Sequence, residues 1–383
     1  MRLPLCTTLR NTVLGACLAV AAALPASADQ GVTSSEIVIG QNITLQGGKN
    51  AYGVAAFRGA KLYIDEVNAA GGVHGRKIVL RTLDDDNQSA AAEANARKLI
   101  QDGAFILFGS IEGGPSTAIV KVAQETRVPF FGPMAGSPAL RRPHQPMVFP
   151  VRAEHREEFR ALMTWGQSIG LKTVGFLHAD SDTGREHLEN VNLIAKALGL
   201  QVVLPLPFKG DPTDAQLDQM VQAIARSQPD MMINHGSSGL YQRLIVKAKA
   251  AGLRTNFMAV NSGSSQMAKA LGPLAAGMMF AQVVPSPWER KREITREYQA
   301  ASQRADANTE FTYGGMEGFM TAKALVLALR AAGRDLTRDS FVKALESGPF
   351  DLGGLSTRYR RGDHEGSTFV DLSMVARDGH FMH

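Results

Sequence analysis

The spacing most suggestive of chemistry lies in residues 105–124, FILFGSIEGGPSTAIVKVAQ. An apolar run at 105–108 has the length of a buried strand. The loop that follows holds Gly109, Ser110, Glu112, Gly113 and Gly114. Pro115 then opens a helical pattern with Ile119, Val122 and Ala123 on one face. N–H groups in the first turn of a helix have no partner inside it, so they point at whatever occupies the loop. The helix dipole adds roughly 0.3–1 kcal/mol in favour of an anion there. Any strand-to-helix turn shares this outline. What sets this one apart is a further supply of small polar loops: Met134, Ala135, Gly136 and Ser137 in the first half, and residues 236–239 (GSSG) and 261–265 (NSGSS) in the second.

Other chemistries find little support. The two cysteines, Cys6 and Cys17, sit in an N-terminal apolar segment, so the rest of the chain has no disulfide, thiol nucleophile or thiolate metal site. The nine histidines are scattered without metal-ligand spacing. Asp84, Asp85 and Asp86 read as an acidic turn capping the next helix rather than a cation site. The sequence has no nucleophile elbow; Gly236, Ser237, Ser238 and Gly239 have the wrong spacing for one. It has no dinucleotide or Walker loop either. No enzyme activity, cofactor or metal is expected. The formal charge is +5. The basic groups 290–292 and 358–361 read as solvated surface, so nucleic acid is not an expected partner.

The elements that position these loops alternate. Arg2 and Arg10, the apolar run 13–24 and a small-residue end at Ala26–Ala28 form a signal peptide over residues 1–28. Lipidation at Cys17 is the less favoured reading. Cleavage after Ala28 removes 28 of the 383 residues and implies export to the periplasm. Strands are expected at 36–43, 77–83, 105–108 and 128–132, with helices between. The pattern restarts after Pro150, with strands at 173–178, 201–206, 230–235, 256–260 and 278–284. Helices follow at 289–301, 316–332 and 337–347, residues 309–315 are a linker, and the tail 355–383 is β-rich. This predicts an α/β protein of two doubly wound parallel-sheet lobes. One lobe takes 29–150 plus 286–352 and the other 151–285 plus 353–383, with three crossovers near Pro150, Pro285 and Gly353. Ligands of such sheets bind beyond the carboxyl ends of the strands. Arg152, at the first crossover, either holds an anionic group or pairs with Glu154 or Glu157, the second being favoured. Trp288 packs on the connector.

These residues resemble a known family. Ile37-Val38-Ile39-Gly40 and the run Asn68-Ala69-Ala70-Gly71-Gly72-Val73-His74-Gly75-Arg76 carry the likeness. Asp84-Asp85, Phe108-Gly109-Ser110 and Asp378-Gly379-His380-Phe381 add to it. The chain resembles the solute-binding proteins of ABC importers, of the type I periplasmic binding fold, in its Leu/Ile/Val-binding branch. The resemblance implies capture of an amino acid or related small carboxylate between the lobes by a monomer and delivery to membrane permease subunits. An exported ligand sensor on the same fold is the alternative. The likeness further implies that Ser110, Glu112, Gly113 and Gly114, with Met134, Gly136 and Ser137, face the ligand carboxylate. Tyr52 lines the pocket, and Phe311 or Tyr313 stands near the lobe junction. In the second lobe, Asn261 replaces the acid that the family pairs with the ligand ammonium, while Thr183 and Ser237 replace aromatics. Glu112, Asp182 or Glu317 then supplies the counter-charge, or the ligand is not a simple amino acid.

Overall fold

The computed structural model describes residues 30–236, 238–261 and 263–382. The expected signal peptide, residues 1–28, and Ser237 lie outside the described residues. The first sheet has the order β2-β1-β3-β4-β5, all parallel: β1 Glu36–Ile43, β2 Lys77–Asp84, β3 Ile106–Phe108, β4 Phe130–Phe131 and β5 Val148–Phe149. Its strands β3, β4 and β5 are short and buried on both faces, so they read as continuous apolar runs rather than alternating ones. Helices α1 (Ala51–Ala69), α2 (Ser89–Gln101) and α3 (Gly113–Thr126) connect them.

The second sheet has the order β15-β14-β10-β9-β8-β6-β7. Five strands are parallel: β6 Thr173–Ala179, β7 Gln201–Phe208, β8 Met231–His235, β9 Asn256–Ala259 and β10 Met279–Gln282. α4 (His155–Ser168), α5 (Asp182–Leu198), α6 (Asp214–Ser227), α7 (Ser238–Ala250) and α8 (Ser264–Leu271) cover it. The purely parallel expectation needs one correction. The chain end adds two antiparallel strands, β14 (Asp371–Val375) and β15 (Phe381–Met382), beside β10.

Three helices, α9 (Glu293–Ala305), α10 (Tyr313–Ala331) and α11 (Arg338–Glu346), return to the first sheet. Thr337 caps α11 with a reciprocal capping box, as the sequence suggests. A small antiparallel sheet follows: β11 Phe350–Asp351, β12 Ser356–Arg360 and β13 Asp363–Gly366. Here the tail departs from its expected place. Tyr359 packs edge-on against Phe149 and Phe131 of the first sheet, so residues 355–366 lie there. The chain reaches the second sheet with β14, well past Gly353.

The closest helix pair sets the site. α1 lies against α10, and only glycine permits the approach: a Cβ on Gly59 would fall 1.9 Å from the Gly315 carbonyl oxygen, and one on Gly318 would fall 1.9 Å from that of Ala56. This contact brings the start of α1 beside the second turn of α10. No helix among the described residues is long and apolar enough to cross a membrane.

Candidate functional site

Loops at the carboxyl ends of both sheets meet around one buried arginine. Arg152 follows β5 and is 1 % exposed. Its Nη2 donates to Glu158 of α4, its Nε donates to the Ala153 carbonyl at 3.0 Å, and Nε lies 3.9 Å from Glu317 Oε1. The favoured pairing of Arg152 with Glu154 or Glu157 is therefore wrong. Glu154 is taken by Arg142 and Arg156, and Glu157 by Arg156 and Arg160. The α4 turn carries Glu158 inward and leaves Glu157 towards the surface.

The two carboxylates beside Arg152 differ in character. Burial alone would raise both, because a low-dielectric surrounding disfavours charge. For Glu158 this is outweighed by Arg152, by His155 (Nδ1 to Oε2, 2.7 Å) and by the Asn261 N–H (2.7 Å), so its pKa is lowered. For Glu317 burial wins, and its pKa is raised despite Arg152, Tyr52 and Asn261. Tyr52 donates its hydroxyl to Glu317 Oε2, while Asn261 Nδ2 lies 3.0 Å from the Tyr52 oxygen and 3.1 Å from Glu317 Oε2. The Tyr52 hydroxyl is itself raised well above its usual range, by burial first and then by the Glu317 charge. At this centre the buried polar atoms without a hydrogen-bond partner among the described residues include Arg152 Nη1, Glu317 Oε1, Asn261 Oδ1 and Ser137 Oγ.

The first-half loops are held by backbone. Ser110, at φ 75°, accepts the Met134 N–H on its carbonyl at 2.8 Å and places its Oγ 3.0 Å from Ser116 Oγ. The loops after β3 and β4 are thereby tied together. Gly113 and Gly114 open α3 on the exposed surface, with empty space beside Gly113. Met134 is core, packed with Ile43, Ala56 and Ile111. Gly136 gives its carbonyl to the His155 N–H at 3.0 Å, and a Cβ there would strike the His155 ring at 2.6 Å.

Other expected residues stand further off. Asp182 is in the first turn of α5, where Ser181 caps the helix. Its side chain is 95 % exposed and ion-paired with Arg185 at 2.5 Å. Thr183 follows it, half-buried. Glu112 is exposed at the N-terminus of α3. Phe311 packs on Tyr298. Tyr313 is inside α10 rather than in a linker, buried between Trp288 and Phe381, so it joins the two cores near the lobe junction, as the resemblance implies. Asp84 and Asp85 do not cap α2, whose N-cap is Gln88 without a side-chain bond. Asp84 accepts N–H groups of Leu45, Gln46, Gly47 and Asp86, and Asp85 takes Asn42, Thr44 and the Asn87 N–H. The acidic turn fixes the loop that leads to Tyr52.

Sequence reasoning missed Glu158 and the imidazole cluster behind it. His155, His187 and His235 come from α4, α5 and β8, with ring centroids 3.7–5.4 Å apart. Their separation in the chain hid them. The signal that could have found His235 is its place at the end of an apolar strand, where ligand-facing residues occur.

A buried ionic centre with unmatched polar atoms thus lies where the loops of two open α/β sheets meet, the place where sheets of this kind take their ligands. Residues 36–380 match the model of the periplasmic binding protein family, and the chain belongs to that family. It is 26 % identical over 361 residues to Leu/Ile/Val-binding protein homolog 8 of Brucella suis biovar 1, covering 88 % of this chain and 86 % of that protein. Its fold matches an extracellular ligand-binding receptor from Verminephrobacter eiseniae with a TM-score of 0.81 at 24 % identity, over 91 % of this chain and all of that one. An ABC transporter substrate-binding protein from Desulfitobacterium hafniense, in complex with Leu, matches with a TM-score of 0.76 at 20 % identity, over 91 % of this chain and 99 % of that one. The family and these neighbours are solute-binding proteins, not enzymes.

Proposed function

We propose that the chain is the extracytoplasmic solute-binding component of an ABC importer and that it captures an amino acid or a close amine-bearing carboxylate between its two sheet domains. The observation that carries this reading is Glu317. Of the three acids available to replace an acid at Asn261, Asp182 is spent on Arg185 at the surface and Glu112 is exposed. Glu317 is buried, touches Asn261 and Tyr52, and keeps Oε1 unmatched. An ammonium placed there meets Glu317 Oε1 and Asn261 Oδ1. The arriving positive charge favours the ionised form of a carboxyl that burial otherwise holds towards neutrality. The ligand carboxylate finds donors in the N–H groups of Gly113 and Gly114 and in Ser137 Oγ. Met134 holds its loop in place. The chain runs between the sheets after β5, after β10 and after β13, and bending at these passages closes the lobes. Ligand stabilises the closed form by its contacts to both sides.

Thermal unfolding of refolded residues 29–383 against a panel of amino acids and their des-amino analogues tests this. A ligand at about 1,000 times its dissociation constant adds about 4 kcal/mol. Amino acids are expected to shift the melting temperature and des-amino acids not to, with the shift cut to less than about half in Glu317→Gln. Equal shifts with and without the amine would remove Glu317 from the role.

A further inference from the structure

Three imidazoles, His155 and His187 buried and His235 partly buried, line the seven-stranded side of the site. His155 opens α4 and spends Nδ1 on Glu158. His187, on α5, is 0 % exposed and lies 3.7 Å, centroid to centroid, from His235 at the end of β8. Neither nitrogen of His187 has a hydrogen-bond partner among the described residues, and Nδ1 of His235 has none. Across from them stands the first-half loop: His155 presses on Gly136, α5 packs against the turn Pro138–Leu140, and Ser137, which precedes that turn, keeps its buried Oγ unmatched. Phe159 closes one flank at 5.5 Å from His187. No group of three or more His, Cys, Asp or Glu among the described residues is arranged to hold a metal ion.

We propose that His187, His235 and Ser137 form a polar subsite for the side group of the solute, and that this group is a neutral donor–acceptor such as a hydroxyl or carboxamide rather than an aliphatic chain. This rests on the reading that the solute binds between the two sheets. A neutral imidazole offers one N–H and one lone pair, which a hydroxyl or carboxamide matches and a methyl group does not. Burial, together with the neighbouring imidazoles, lowers the pKa of both rings, in keeping with a neutral pair. The charged groups facing them, Arg152 and Glu158, are already bound to each other. A buried polar atom left unmatched by the ligand weakens binding by roughly ten- to a hundredfold. A site built to hydrogen-bond its ligand therefore rejects the isostere that cannot.

The test uses matched isosteres in calorimetric titrations of the refolded, ligand-free protein: threonine against valine, asparagine against leucine, glutamine against methionine, and 4-hydroxybenzoate against 4-methylbenzoate. The polar member of the best-bound pair is expected to bind at least tenfold more tightly, and His187→Leu to erase or reverse that preference. Valine, leucine or methionine winning its pair in the wild-type protein would overturn the proposal without need of any variant. So would an absence of binding across the whole panel. The benzoate pair separates this inference from the amine reading. A polar preference seen only among benzoates supports the subsite while refuting Glu317 as an ammonium partner. An aliphatic preference among the amino acids does the reverse.

Discussion

The loops at the ends of the five-stranded sheet and those at the ends of the seven-stranded sheet use different means. On the first side the chain presents main chain: the N–H groups of two exposed glycines, and loops tied together through Ser110. On the second it presents buried or partly buried ionisable side chains, Glu158, His155, His187 and His235, folded onto Arg152 or each other. Main-chain donors recognise a group that nearly every candidate solute carries, a carboxylate. Discrimination between solutes needs side chains whose type can change without disturbing the backbone. Of the two carboxylates that flank Arg152, Glu158 on the second side has its pKa lowered by Arg152 and His155, whereas burial raises that of Glu317 on the first-side helix α10.

Removing the arginine should break this contrast outright. Arg152→Met leaves Glu158 buried without its cation and should cost about 3–5 kcal/mol of stability in urea unfolding. Glu317→Gln should be far milder for the fold and severe for the ligand, weakening an amine-bearing solute by about 2–3 kcal/mol in titration calorimetry. Gly136→Ala drives a methyl into the His155 ring and backbone. It should weaken binding by about 1–2 kcal/mol and reduce ligand-induced compaction in small-angle scattering.

Acid should act on the second side first. The pKa values of His155, His187 and His235 are all lowered, with burial the largest cause in each. The unfolded chain therefore binds protons that the folded chain refuses, and stability is lost as the pH falls below about 6.5. The slope approaches about 1.4 kcal/mol per pH unit for each such imidazole and should flatten in His187→Leu. Glu158, held low by Arg152, His155 and the Asn261 N–H, adds its own loss only at lower pH. Asp182→Asn removes an exposed pair with Arg185 and should change affinity and stability by less than about 0.5 kcal/mol. A larger effect would place that turn in the ligand's path.

Much of this was legible along the chain. Apolar runs of strand length, alternating with amphipathic helices, gave both sheets, because local periodicity reports which face is buried. The glycine loop at 109–114 was readable from spacing, and likeness to a family singled out Tyr52, Asn261 and, as one of three acids, Glu317, which the structure brings together. The partner of Arg152 was misread because Glu154, Glu157 and Glu158 are near-equivalent in sequence, and only the helical turn decides which points inward. The tail was misplaced because a run of short strands does not say which sheet edge it joins. Tyr313 went astray because the capping of α10 by Thr312 begins the helix earlier than its apolar pattern does.

What the sequence determined by itself is the fold class and the glycine-rich opening of α3, since both follow from neighbours in the chain. The tertiary structure alone decided the charge balance of the centre and the meeting of three histidines drawn from residues 155, 187 and 235. Those depend on desolvation and on distances between segments far apart in sequence. Gly59 and Gly318 let α1 and α10 approach closely enough to set Tyr52 on Glu317, and no local pattern specifies such a contact.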